Sequence, residues 1–366
     1  MPLVSDVCGY LDRFAPPATA ADWDNVGLLL GDPNRPAFRI LTCLTVTPEV
    51  VAEAIEERVE LIVTHHPILF RGAKRLTTAS ADGKLLLPLI QWSIAVYSPH
   101  TAFDNCHGGI NDGLCYRLGL ADVRPLRPRD GRRDFKLVVF TPEKDLAKLS
   151  DALFAAGAGK IGQYEQCSFR SAGAGTFYGT SETAPTVGER GRREDVSEWR
   201  LEVLVAEKNV EAAIAAIRGA HSYEEPAYDV YPLRPAPGPG EGRIGNLPEP
   251  VFLRNLAQTI KQQLRANSAQ FLGDPDKLVT RIGIACGAGG EFLKDAVKDG
   301  ADAFLTGEMR FHDQLNAEAA GMGVILPGHY ASERPGVEDL ATRLQWAFPG
   351  ASVRPSKRER DPLRVV

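Results

Sequence analysis

Residues Leu61–Phe70 read LIVTHHPILF, and the rest of the chain is best understood from this stretch. Leu61, Ile62 and Val63 are a short apolar run of the kind that suits a strand covered on both faces. Pro67 cannot donate to a ladder, so the strand is expected to stop at or before it. His65 and His66 are then left on the strand's C-terminal lip, the edge where α/β proteins place their sites. Neutral imidazole is the commonest metal ligand. Adjacent strand residues point to opposite faces, so both rings reach one centre only if the backbone turns there. Without such a turn they are two unrelated loop histidines.

Upstream, Val4, Val7, Cys8, Leu11 and Phe14 recur at helical spacing and predict a helix near residues 3–14, closed by Pro16-Pro17. Asp22–Gly27 (DWDNVG) is a polar, turn-rich knot. Asp24 and Asn25 there either make Asx turns or stand beside a site. Arg39–Val46 reads as a strand, and Thr47 with Pro48 caps a helix over Pro48–Arg58. Downstream, a helix around Gly83–Trp92 leads to the strand Ile94–Tyr97. That strand runs into Ser98-Pro99-His100, with Asp104 four residues beyond. Strand–helix–strand alternation predicts an α/β fold with a parallel or mixed sheet.

From about Asp134 the texture changes. Strand Phe135–Phe140, helix Asp145–Ala155, strands near Gln166–Arg170 and Trp199–Val205, helix Val210–Arg218 and strand Ala227–Pro232 follow one another. The order β-α-β-β-α-β predicts an inserted ferredoxin-like α+β module, and Pro235–Gly240 (PAPGPG) reads as a linker. The first texture then returns: a helix near Val251–Gln263, the strand Arg281–Ala285 and the run Cys286–Gly290 (CGAGG), which lacks the ending of a phosphate-binding P-loop. A helix over Glu291–Asp299 precedes the strand Ala303–Leu305, which ends in Thr306-Gly307-Glu308. After the helix Phe311–Ala320, the strand Val324–Leu326 ends in Pro327-Gly328-His329. Ser332 is expected to cap a last helix holding Glu333 in its first turn.

The two ends therefore look like copies, each delivering polar residues at the same two strand tips. Three segments are expected: 1–130, a first α/β half; 131–236, the insertion; and 237–366, a second half. The halves would share one site made of His65, His66, Asp104, His329 and Glu333. Three imidazoles and two carboxylates exceed what one tetrahedral ion takes, but carboxylates can bridge two ions. Nitrogen and oxygen donors without a thiolate suit Zn²⁺, Fe²⁺ or Mn²⁺. Glu333 has a competing reading as favourable charge in a helix's first turn. Glu308 and His312 are candidates for proton transfer, or else partners that orient the ligand imidazoles, and His100 stands between the same alternatives. His107 and His221 look like ordinary surface or loop histidines.

Composition narrows the class. The chain has 366 residues, 44% hydrophobic and 24% charged, with a formal net charge of -5. That length calls for more than one domain, and the negative balance argues against nucleic-acid coating or binding to anionic membranes. The six cysteines are scattered without a CxxC pair, which fits reduced thiols. The N-terminus has no basic start followed by an apolar run, and no apolar stretch is long enough to span a bilayer, so a cytoplasmic location is expected.

Five ordered motifs carry a family resemblance: Trp23–Gly27 (WDNVG), Thr64–Pro67 (THHP), His100–Asp104 (HTAFD), Thr306–Glu308 (TGE) and Gly328–Glu333 (GHYASE). With these the chain resembles the NIF-three-like family, whose members are often labelled GTP cyclohydrolase I type 2 homologues. Gly157–Gln166 and His221–Pro226 (HSYEEP) make the insertion similar to the PII/CutA-like module of longer bacterial members. One departure is Leu363, where relatives often carry Phe. The resemblance implies a dinuclear metal centre on the five residues named above, a toroidal homohexamer, and a metal-dependent hydrolase of GTP cyclohydrolase type acting on a small molecule. A metal carrier, or a regulator gated by the PII-like module, is the alternative.

Overall fold

The computed structural model describes residues 2–70, 72, 75–129, 133–234 and 240–365. The chain divides into two compact units: Met1–Arg129 together with Pro239–Val366, and Asp130–Gly238. In chain order the first unit opens with α1 (Val4–Phe14), β1 (Gly27–Leu30), β2 (Arg39–Cys43), α2 (Pro48–Glu56) and β3 (Leu61–Thr64). It continues through α3 (Ala81–Gln91), β4 (Ala95–Ser98), α4 (His100–Asn105), α5 (Ile110–Arg117), β5 (Ala121–Arg124) and β6 (Arg127–Pro128). The second unit holds β7 (Asp134–Thr141), α6 (Glu143–Ala155), β8 (Ser168–Tyr178), β9 (Arg193–Ala206), α7 (Val210–Ala220) and β10 (Tyr228–Pro232). The chain re-enters the first unit at β11 (Gly240–Glu241) and β12 (Arg243–Phe252), followed by α8 (Leu253–Gln263), β13 (Gln270–Leu272) and β14 (Leu278–Ala285). Last come α9 (Leu293–Lys298), β15 (Ala303–Thr306), α10 (Phe311–Ala319), β16 (Gly323–Leu326), α11 (His329–Ala347) and β17 (Ser352–Pro355).

The fold is mixed α/β, with several sheets. In the first unit a five-stranded sheet has the order β1-β4-β3-β2-β17 and a six-stranded sheet the order β13-β16-β15-β14-β12-β5. Strands β2, β3 and β4 run parallel, as do β14, β15 and β16. The outer strands β1 and β13 are antiparallel to β4 and β16. All four residues of β3 are buried, as an apolar run covered on both faces requires. Each sheet also takes a strand from the other end of the chain: β17 pairs with β2, and β5 with β12. Helices follow the same exchange. Leu340 and Leu344 of α11 join the core around Leu61 and Val63, while Leu114 and Cys115 of α5 join the core around Ile282 and Leu305.

In the second unit a four-stranded antiparallel sheet has the order β10-β7-β9-β8. Leu149 and Leu153 of α6 and Ile217 of α7 cover the face formed by Val139, Leu201 and Val203. Among the described residues no helix is long and apolar enough to cross a membrane.

Several boundaries differ from expectation. Thr47 does cap α2, its hydroxyl accepting from Val50 N. Ser332, however, caps nothing: α11 starts at His329, after Gly328 at φ +100°, and Ser332 lies one turn inside. Its hydroxyl instead accepts from Gly287 N and donates to His329 O. Half of the polar stretch between the two middle strands of the second unit is strand, because residues 171–178 pair with 193–200 in a long hairpin. Cross-strand hydrogen bonding there outweighs the weak β propensity of glycine and glutamate. Pro235–Pro239 of the expected linker lie outside the described residues, and Gly240 pairs with Pro128.

Candidate metal centre

The tips of β3 and β4 and the start of α11 meet in the first unit. The backbone does turn after β3: His65 N donates to Cys43 O and His66 N to Leu44 O, while Ser98 Oγ holds His65 O. His65 is 2% exposed, and neither ring nitrogen has a hydrogen-bond partner. Its Nε2 lies 3.6 Å from Asp104 Oδ1 and 3.8 Å from Glu333 Oε1. Burial pushes this imidazole well below its usual pKa, so it stays neutral.

Glu333 is the hub. His66 Nε2 and His329 Nε2 each lie 3.1 Å from Glu333 Oε2, one turn of α11 bringing His329 and Glu333 together. His66 and His329 have ring centroids 5.3 Å apart. Each second nitrogen is also held: His66 Nδ1 lies 2.7 Å from Thr45 Oγ1, and His329 Nδ1 lies 3.1 Å from Glu308 Oε1. Hydrogen bonding to Glu333, helped by Glu308 and against burial, raises His329 to about 9. Burial opposes ionisation of Glu333, yet its hydrogen bonds with His329 and His66 keep its carboxyl far below the usual range. Asp104 goes the other way, pushed up to about 7 by burial and by the Glu333 charge.

Two neighbours stand beside the five expected ligands. His100 donates Nδ1–H to Asp24 Oδ1 at 2.7 Å, leaving Nε2 toward the cluster. His65, His66 and His100 offer ring nitrogens within 4.8 Å of one another, and His66, His329 and Glu333 form a second such group. The expectation that no cysteine accompanies the site is corrected: Cys286 Sγ donates to Asp104 Oδ1 at 3.1 Å. Cys286 directly follows β14, the strand beside β15, and only sheet order reveals that placement. Gly287, at φ +62°, has a packing reason, since a Cβ there would meet Glu333 Oε1 at 2.2 Å.

His312 is exposed, its ring edge-on to Phe311, and joins neither histidine group. His107 is fully exposed. His221 is not a surface residue: it is 8% exposed, donates Nε2–H to Phe140 O and accepts from Tyr223 N.

The donor set fits a divalent ion. Two atoms each about 2.0–2.2 Å from one tetrahedral ion lie roughly 3.3–3.6 Å apart. The His65, His66 and His329 nitrogens stand at 3.1–3.8 Å from the carboxylate oxygens. Too long for hydrogen bonds at His65, these spacings bracket that range, and a cation here would relieve the conflict between two buried carboxyls.

A family model described as Duf34/NIF3 (NGG1p interacting factor 3) matches residues 2–362. The chain is 36% identical over 341 residues to a Halalkalibacterium halodurans protein named GTP cyclohydrolase 1 type 2 homolog, covering 92% of each. It is 37% identical over 323 residues to the Bacillus subtilis protein of the same name, covering 88% of this chain and 87% of that one. Among solved structures, a Staphylococcus aureus protein superposes with a TM-score of 0.83 at 29% identity, covering 100% of this chain and 99% of that one. A Bacillus cereus protein described as related to NIF3 gives 0.75 at 34% identity with the same coverage.

Proposed function

The chain belongs to the Duf34/NIF3 family, and from that premise we propose that it is a dinuclear metal protein and a metal-dependent hydrolase. It would act on a nucleotide-like or phosphate-containing small molecule, as the name of its relatives suggests. The ligands are His65, His66, Asp104, His329 and Glu333, with His100 beside them. The ions are two of Zn²⁺, Fe²⁺ or Mn²⁺, a count supported by the two donor groups that share His66. The observation that carries this reading is His65, a buried neutral imidazole whose two nitrogens lack hydrogen-bond partners while Nε2 faces two carboxylates. A buried polar group left unpaired costs about 1–3 kcal/mol, and ligation removes that cost.

Ions held there supply an acidified water and polarise a carbonyl or phosphoryl oxygen. The chain's own groups do the rest. Thr45, Asp24 and Glu308 each hold the Nδ1 of a histidine and so orient its Nε2. Glu308, with its side chain 61% exposed, can also pass a proton between solvent and His329 Nδ1. His312 keeps a proton-transfer role only if substrate reaches α10.

Wider parts of the reading have their own support. The matching runs β1-β4-β3-β2 and β13-β16-β15-β14, each an antiparallel edge strand followed by three parallel strands, favour duplicated halves at 1–130 and 237–366. The order β10-β7-β9-β8 favours a ferredoxin-like insertion at 131–236. A homohexamer and a cytoplasmic location complete the proposal. A regulatory or carrier role is the second reading, favoured by a cavity of about 620 Å³ within the second unit, lined by Phe140, Phe177, Glu198 and Tyr223 among others.

Elemental analysis of protein purified without added metal, followed by a nucleotide hydrolysis screen before and after chelation, tests the proposal. Two ions per chain and chelator-sensitive turnover are expected. Metal without any turnover favours the carrier, and absence of metal removes both.

A further inference from the structure

Two large aromatic side chains beside the metal centre are turned to solvent. Trp23 is 61% exposed and Phe70 51% exposed, although rings of that size contribute most to a fold when buried. Their centroids are 5.7 Å apart with planes at 54°, an open V and not a closed stack. Both stand edge-on to His100, Trp23 at 6.1 Å and 73° and Phe70 at 6.4 Å and 84°. The His100 ring is in turn 5.1 Å from His65 and 5.6 Å from His66. One imidazole therefore separates the V from the metal-ligand cluster.

Residues close to each ring are held by hydrogen bonds. Asp24 accepts from His100 Nδ1 at 2.7 Å, Thr101 N at 3.1 Å and Thr101 Oγ1 at 2.5 Å. Asn25 Nδ2 donates to Leu69 O at 2.7 Å, joining the segment that carries Trp23 to the residue before Phe70. A platform held this way does not have to be ordered when something binds, so little affinity is lost to its immobilisation. Its carboxylate is already committed to His100 and Thr101, which leaves the ring faces to do the recognising.

The geometry points to a stacking platform on which Trp23 and Phe70 receive a planar heteroaromatic ring of the substrate. The chemistry after binding rests on the metal-hydrolase reading, whose substrate class is narrowed here to molecules carrying a flat unsaturated ring. Stacking on an aromatic side chain is worth about 1–3 kcal/mol and tolerates any base, because every base has a π-face.

Full-length protein titrated calorimetrically with inosine, uridine and 5,6-dihydrouridine tests the platform. Uridine and dihydrouridine share the sugar and the ring carbonyls and differ in planarity. Inosine is expected to bind best, and dihydrouridine about tenfold or more weaker than uridine. Trp23→Ala and Phe70→Ala should each weaken inosine binding about tenfold, while Trp23→Phe keeps most of it. Equal affinity for uridine and dihydrouridine overturns the platform. So does wild-type inosine binding by both alanine variants, or no inosine binding by wild type at millimolar concentration. Metal content measured on the same samples separates the two ideas: a failed platform leaves the ions in place, whereas a failed metal reading shows as metal-free protein whatever inosine does.

Discussion

Replacing Glu359 by glutamine should loosen the proposed metal centre from a distance. Glu359 lies in the tail beyond β17, with its side chain 3% exposed. Oε2 accepts from Leu44 N at 2.9 Å, Oε1 accepts from Thr45 N at 2.6 Å, and Arg334 completes the ion pair. The loop held this way carries Thr45, whose hydroxyl lies 2.7 Å from His66 Nδ1. In Glu359→Gln the amide NH₂ must face one of those donors, and Arg334 loses its buried counter-charge. One hydrogen bond to a charged group is worth about 1.5–3 kcal/mol and an unsatisfied buried partner costs about 1–3 more, so a loss of about 3 kcal/mol is expected. Misorienting a ligand histidine typically weakens metal binding by about 10-fold or more. Urea denaturation reads the first quantity. Competition against a chelator, well below the melting temperature, reads the second. Thr45→Val should lower metal affinity with a smaller stability loss, and Thr45→Ser should restore it. If Glu359→Gln loses stability but binds metal like wild type, the tail is a strap and Thr45 does not orient His66.

Glu53 of α2 accepts from Ser356 Oγ, Arg354 Nη1 and the amides of Lys357 and Arg358, which overcome its burial and hold its carboxyl at about 2 instead of 4.5. The stability it contributes, about 2–3 kcal/mol, is present above pH 4.5 and lost as pH falls toward 2; an acid-unfolding curve unchanged by Glu53→Gln would contradict this. Glu333→Gln removes the hub of the cluster and one of two buried carboxylates. It should sharply lower metal occupancy yet melt within a few degrees of wild type in chelator, and a melt far below wild type there would make Glu333 a structural residue. Because Gly240 pairs with Pro128 and Glu241 with Arg127, the first unit's chain ends already meet. Exchanging residues 130–238 for a short linker should therefore give a folded protein that keeps its metals, and aggregation or metal loss would refute modularity.

What could be read directly from the chain was local. Buried apolar runs followed at once by histidine, threonine or carboxylate mark strand tips, because a polar residue inside such a run would be costly to bury. His65 and His66 are legible this way, Asp104, His329 and Glu333 by the matching positions a few residues past a strand end in each half, and Thr47 with Pro48 as a helix start by capping chemistry alone. Ser332 misled because a serine before an acidic residue looks like a cap whether or not the helix has already begun. Only the tertiary structure decided what surrounds each imidazole. Thr45 reaches His66 across 21 residues, Asp24 reaches His100 across 76, and Glu333 reaches His66 across 267. Cys286 arrives beside Asp104 through the place of β14 in its sheet. The physical reason is range: periodicity and capping are set by neighbours within a turn or a strand, whereas an imidazole's tautomer and a carboxylate's charge are set by whatever packing brings within a few ångströms.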